Sequence, residues 1–272
     1  MDFSCHSWGF NDLTLPEALG TMARMGFRYV DLGTGAHLNP ARATAPATRA
    51  AALAELRDDL ALFNLKPADI YLMLPHITDA DETRRTRELK VFLALLPFVK
   101  ATGAAGITVS PGLMQSDDPA AAFERSAALL RDMLAGAQHI GLPLSIEPHL
   151  DSVAPTPAAA LRLLAAVPGL QITLDIAQMV CQKVKPAEMW GLLPHTRHVH
   201  LRQAKAKKLQ TPFDKGTIDL AEVMQALEQA AYGGFVCIEY LQTLNWHGTM
   251  QVNSVTECLR LRDALKALRP AP

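Results

Sequence analysis

Neither sign of charge is in excess in this chain. Its 272 residues hold 26 Lys and Arg against 27 Asp and Glu, a net charge of −1. Nucleic-acid binders show a basic face or stripe. The densest basic run here, residues 202–208 with Arg202, Lys205, Lys207 and Lys208, reads as a solvated loop. No nucleic-acid partner is expected. Cysteine is sparse as well: Cys5, Cys181, Cys237 and Cys258 are scattered and form no CxxC pair. That argues against a disulfide framework and for free thiols in a reducing cytoplasm. Long apolar runs are absent. Residues 91–99 contain Pro97 and lie between Lys90 and Lys100, too short a stretch to span a bilayer, so no membrane association is expected. Met1-Asp2-Phe3-Ser4 lacks the basic and apolar regions of a signal peptide, which keeps the expected location cytoplasmic. There is no composition break or linker either, so residues 1–272 are expected to form a single domain.

What is present is a regular alternation of strand and helix signals. Strands are expected at residues 3–5, 29–32, 69–74, 107–109, 144–146, 171–174, 197–201 and 235–238. Thr14 and Glu17 form a capping box opening a helix that stops at Gly26. Helices are also expected over residues 46–63 and 80–102, from Asp118-Pro119 to Gly141, and from Thr156-Pro157 to residue 167. Asp219, with Glu222 three residues on, caps another that ends at Tyr232-Gly233-Gly234, and a last one covers residues 253–268. Eight such units imply a parallel sheet with helical crossovers. They favour a closed (β/α)8 TIM barrel of the α/β class over an open doubly wound sheet.

Four consecutive strands end on metal-binding residue types: Ser145-Ile146-Glu147, Thr173-Leu174-Asp175, Val199-His200 and Cys237-Ile238-Glu239. In a TIM barrel the catalytic groups sit at that end of the strands. Pro148 follows Glu147 and Ile176 follows Asp175, so neither carboxylate is expected to cap a helix opening at the next residue. Three carboxylates and one imidazole make a hard, oxygen-rich shell. It suits one divalent ion, Mn²⁺ first, with Mg²⁺ or Co²⁺ as alternatives. Carbonyl and neighbouring hydroxyl oxygens of a ketose or keto-sugar can share that shell, and the ion then acidifies the carbon between them.

At this point the chain resembles a known family. Ile146-Glu147-Pro148, Leu174-Asp175, His198-Val199-His200 and Ile238-Glu239 look like the xylose-isomerase-like TIM barrels. Gly216-Thr217-Ile218-Asp219 and Tyr232-Gly233-Gly234 add to the likeness. Within that superfamily the chain is similar to the sugar phosphate isomerase/epimerase group, which includes ketose 3-epimerases. The likeness is specific over residues 144–240 and rests on strand–helix order before that. It implies that Glu147, Asp175, His200 and Glu239 bind the metal. It also implies that Glu147 and Glu239 are catalytic, on opposite faces of the substrate carbon, one removing a proton to give a metal-stabilised enediolate and the other returning it. Barrels of this kind often assemble as homodimers or higher homo-oligomers.

One position departs from the pattern. Relatives often carry Asp-x-x-His on strand six, whereas this chain has Asp175-Ile176-Ala177-Gln178. Gln178 can hydrogen-bond a sugar but cannot titrate. His149, two residues beyond Glu147, is the substitute acid or base. Arg202 continues the face of His198 and His200 and is a candidate to hold a substrate carboxylate or phosphate, while His198 points to a lower layer. His6 and Trp8 after strand one, His76 after strand three, and Trp246 with His247 after strand eight complete the expected substrate contacts.

The leading expectation is a metal-dependent isomerase or epimerase of a ketose or keto-sugar. The same site can instead expel a leaving group, giving a lyase, a dehydratase or a C-glycoside-cleaving enzyme. An endonuclease of the related DNA-repair type would need more histidines than strands four and six supply. A non-catalytic sugar-binding barrel is disfavoured by retention of all four ligands.

Overall fold

The computed structural model describes residues 1–114 and 118–269. Its strands are short and buried on both faces, as a parallel sheet roofed by helices requires. They are β1 Asp2–His6, β2 Tyr29–Gly33, β3 Lys66–Leu72, β4 Ile107–Val109, β5 Leu144–Ile146, β6 Gln171–Asp175, β7 Thr196–Leu201 and β8 Phe235–Ile238. All pair in parallel and in sequence order, and β8 returns to β1 through Asp2↔Phe235 to Cys5↔Ile238. The sheet is a closed eight-stranded barrel, the fold expected from the alternation.

The helices are α1 Leu15–Arg24, α2 Pro40–Thr44, α3 Arg49–Leu62, α4 Glu82–Thr102, α5 Pro119–His139, α6 Pro157–Ala166, α7 Ile176–Cys181, α8 Pro186–Trp190, α9 Leu220–Gln229 and α10 Ser254–Ala267. None among the described residues is long and apolar enough to cross a membrane. The capping box of α1 forms, with Glu17 accepting from the Thr14 backbone N–H at 2.9 Å. Asp219 caps α9 through the N–H groups of Ala221 and Glu222. The helix expected over residues 46–63 is shorter, and α2 precedes it. Asn39 accepts from Ala41 and Arg42 N–H, and Pro40 occupies the first turn, so an Asn-Pro pair starts a helix of its own. β3 lies earlier than expected because it pairs with β2, whose last register partner is Gly33↔Tyr71.

Two register shifts decide what fills the lower barrel. Ala68 is an extra residue in β3 between Pro67 and Asp69, and Arg197 is an extra residue in β7 between Thr196 and His198. Such bulges re-aim neighbouring side chains. Here they bring a carboxylate and a guanidinium together: Arg197 Nη2 lies 2.8 Å from Asp69 Oδ1 and 2.7 Å from Ser145 Oγ. Thr173 Oγ1 is 2.7 Å from both Thr108 Oγ1 and Ser145 Oγ. This layer has one acid, one base and three hydroxyls, all hydrogen-bonded. Around the barrel, apolar side chains from strands and helices form one continuous core.

Candidate metal centre

The strand-like pairing continues one residue past β5 and β8. Glu147 N–H bonds Val109 O and Glu239 N–H bonds Leu201 O, each at 3.0 Å. Both carboxylates are thereby held at the barrel rim. There they meet Asp175 at the end of β6 and His200 in β7. One donor atom from each of these four residues lies within 4.8 Å of every other, and all four residues are buried. His200 Nδ1 is 2.9 Å from Glu147 Oε1 and 3.3 Å from Glu239 Oε2. Neighbouring ligands of an octahedral ion with bonds near 2.1 Å stand about 3 Å apart, so this spacing suits a common ion.

Asp175 corrects one expectation. It caps α7, which opens at the very next residue, and its Oδ1 accepts from Gln178 N–H at 3.1 Å. Its extended backbone lets the chain turn directly from strand into helix. The other oxygen, Oδ2, faces Arg202.

Arg202 is 1 % exposed. Its Nη1 donates to Glu239 Oε2 at 2.6 Å and its Nη2 to Asp175 Oδ2 at 2.9 Å. Its remaining bonds go to the backbone oxygens of Leu209 and Glu239. The guanidinium expected to wait for a substrate anion is thus engaged by the chain's own carboxylates.

With His200 neutral, as a metal ligand must be, the charges do not balance without a further cation. Three carboxylates face one guanidinium, leaving two buried negative charges, and buried charges are paired or coordinate metals. Burial, together with Glu147 and Glu239, pushes the Asp175 carboxyl up to about 7 despite Arg202. Burial acts the same way on Glu239, but His200 and Arg202 outweigh it and hold Glu239 below the usual carboxylate range. Burial alone would lower His200, yet Glu239, the nearby Asp31 carboxylate and the hydrogen bond to Glu147 raise it well above an ordinary imidazole. A divalent ion brings this cluster to neutrality. Donor set, spacing and charge all fit one, with Glu147, Asp175, His200 and Glu239 as the residues that would hold it.

Two contributors escaped sequence reading. The Tyr71 hydroxyl donates to Glu147 Oε2 at 2.7 Å, and burial plus Glu147 raise its pKa well above normal, so it stays a donor. Strand alternation carried this signal, since Asp69 and Tyr71 share a face. The second is Asp31 in β2. Its Oδ2 accepts from His198 Nε2 at 2.5 Å and lies 3.7 Å from His200 Nε2. Asp31, His198, His200 and Cys237 also cluster within 4.8 Å. Two ligands of a tetrahedral zinc stand about 3.3 Å apart, so the 2.5 Å contact is a hydrogen bond beneath the centre and not a second coordination shell.

The cluster forms the floor of a cavity of about 450 Å³. Trp8, Gln178, Arg202, His149 and Trp246 all line it, together with Tyr71, Met73, Leu113 and Leu241. A second concavity, of about 500 Å³, contains none of the four donors. His149 is buried, with Nε2 2.8 Å from Ser110 Oγ and Nδ1 against Leu150 O. The carbonyl can only accept, so Nδ1 carries a proton, and Nε2 shares a hydrogen bond with the Ser110 hydroxyl. Gln178 accepts from Leu150 N–H through Oε1 at 3.1 Å. His6 and His76 are not brought to the cavity. His6 sits under the Trp8 ring with centroids 4.5 Å apart, and His76 Nδ1 lies 3.4 Å from Asp79.

The chain belongs to the xylose isomerase-like TIM barrel family, whose model matches residues 19–266. No curated protein matches the sequence. Several solved structures share the fold at low identity. An L-ribulose 3-epimerase is 17% identical with a TM-score of 0.80, covering 98% of this chain and 96% of that one. A 3-keto-D-glucoside 4-epimerase from E. coli is 18% identical with a TM-score of 0.75, covering 98% of each chain. A probable 3-DHS dehydratase from Bacillus anthracis is 16% identical with a TM-score of 0.73, covering 98% of this chain and 99% of that one. At these identities the likeness shows the fold alone.

Proposed function

We propose that this xylose isomerase-like barrel is a divalent-metal-dependent isomerase or epimerase of a ketose or keto-sugar. The observation that carries the reading is the placement of Glu147 and Glu239. They come from non-adjacent strand ends, flank His200 Nδ1 at 2.9 and 3.3 Å, and both line the cavity. When bound, the ion would supply Lewis-acid stabilisation of charge on two substrate oxygens; Mn²⁺ is the preferred ion, with Mg²⁺ or Co²⁺ next. One glutamate would take a proton from the carbon beside the carbonyl and the other would return it. Arg202 and His200 keep Glu239 ionised, the form that accepts a proton. Tyr71 fixes the orientation of Glu147. Gln178 cannot titrate, so proton handling beyond the glutamates would fall to His149, which lines the cavity and is held by Ser110 and Leu150. The epimerases among the structural neighbours support this reading. Four buried free cysteines support a reducing, cytoplasmic setting.

A second reading keeps the site and changes the outcome. His149 adds a titratable side chain at the cavity wall, and a dehydratase shares the fold. Proton abstraction followed by loss of a leaving group would then give a lyase. Incubating the Mn²⁺-loaded protein with keto-sugars in deuterated water separates the two. Deuterium gain at unchanged composition supports an isomerase or epimerase, and loss of a fragment supports the lyase. Folded, metal-loaded protein that exchanges no substrate proton would sink both.

A further inference from the structure

We propose that the substrate is an unphosphorylated sugar bearing an aromatic or otherwise apolar group, held against the upper walls of the cavity. This deepens, and rests on, the keto-sugar reading of the same site.

Polarity is graded along the cavity. The metal donors and Arg202 sit at the strand ends. On three loops the lining turns apolar farther on, with Met73 just past β3, Leu113 past β4, and Leu241 and Trp246 past β8, while Asn11, Thr34, His149, Gln178 and Thr243 add uncharged polar or imidazole groups. Trp8 and Tyr71 form one wall, ring centroids 4.7 Å apart. A Cβ at Gly33 would collide with the Trp8 indole nitrogen, so the glycine is what allows that ring to lie across the end of β2. Stacking on one face of a sugar needs a single aromatic ring; this lining offers far more apolar surface. Met73, on the loop following β3, is itself 43 % exposed. Methionine adapts well to flat aromatic partners. The volume of about 450 Å³ falls in the range of drug-sized ligand pockets, roughly 300–1,000 Å³.

Phosphate finds no partner here. Among the described residues, Arg202 is the one Lys or Arg lining the cavity, and its nitrogens are taken by Asp175, Glu239 and Leu209. The ion would bring the three carboxylates and Arg202 only to neutrality, leaving no spare cation on the cavity wall to pair with a phosphate dianion.

Calorimetric titration of the Mn²⁺-loaded protein with three probes tests this: phenyl β-glucoside, methyl β-glucoside and glucose 6-phosphate. The phenyl compound should bind about tenfold or more tightly than the methyl one, and glucose 6-phosphate no better than methyl β-glucoside. Trp246→Ala and Met73→Ser should each shrink the phenyl-to-methyl ratio. Equal affinity for phenyl and methyl glucosides, or preference for the phosphate, would overturn the proposal. So would an undiminished ratio in both variants. Deuterium exchange into the 3-keto forms of the two glucosides, run in parallel, reports on the chemistry separately. Phenyl preference without exchange would count against the isomerase or epimerase reading and leave the substrate class standing.

Discussion

The barrel contains two buried polar layers that differ in one respect, charge balance. In the lower one, Asp69 and Arg197 pair at 2.8 Å and Thr108, Ser145 and Thr173 complete the hydrogen bonds. In the upper one, Glu147, Asp175 and Glu239 face the single guanidinium of Arg202, and His200 Nε2 and Asp31 Oδ1 just below have no hydrogen-bond partner. A layer that satisfies itself has no use for a ligand and serves the fold. A layer that carries surplus negative charge whenever His200 is neutral, the form a ligand takes, is one that a cation from outside would balance.

The sharpest way to break the comparison is to change one residue in each layer. Glu239→Gln in the upper layer should cut proton exchange into substrate by about 10²–10⁴-fold, with the circular dichroism spectrum preserved. Asp69→Ala in the lower layer should instead lower the unfolding free energy by about 2–3 kcal/mol in urea, because the partly buried Arg197 loses its carboxylate and keeps only hydroxyl partners. Metal affinity of the folded Asp69→Ala protein should not move. Next in size is Asp31→Asn, which alters the group facing His200 Nε2 at 3.7 Å. Carboxylates in that position typically govern 10–100-fold in metal affinity, and calorimetry with Mn²⁺ should read a loss of about that order.

The smallest effect is on pH. Ligands must be deprotonated to bind a metal. Asp175, raised to about 7, and His200, raised above its ordinary value, both hold protons that the ion has to displace. Below those values protons compete, so Mn²⁺ affinity should rise with pH, by about tenfold or more between pH 6 and pH 8. A flat profile would mean that neither group is a ligand.

Much of the architecture was legible in the sequence. Thr14 with Glu17, and Asp219, announce α1 and α9 because capping is local chemistry, and the run of strand ends bearing Glu, Asp, His and Glu announces the rim. What stayed hidden depends on register. No local signal marks Ala68 or Arg197 as extra residues, so the Asp69–Arg197 pair could not be foreseen. The cap role of Asp175 was missed because its helix is only 6 residues long and begins without a loop. Arg202 was assigned to the correct face, but its partners come from β6 and the end of β8, which only barrel closure brings near.

The central claim is that the upper layer's surplus charge exists to hold one divalent ion. Chelated protein titrated with Mn²⁺ and followed by calorimetry and electron paramagnetic resonance tests it directly. The account predicts one ion per chain for the wild type and none retained by a folded Glu147→Gln/Asp175→Asn double variant. A folded wild-type chain that takes up no divalent ion, or a double variant that binds as the wild type does, would contradict it.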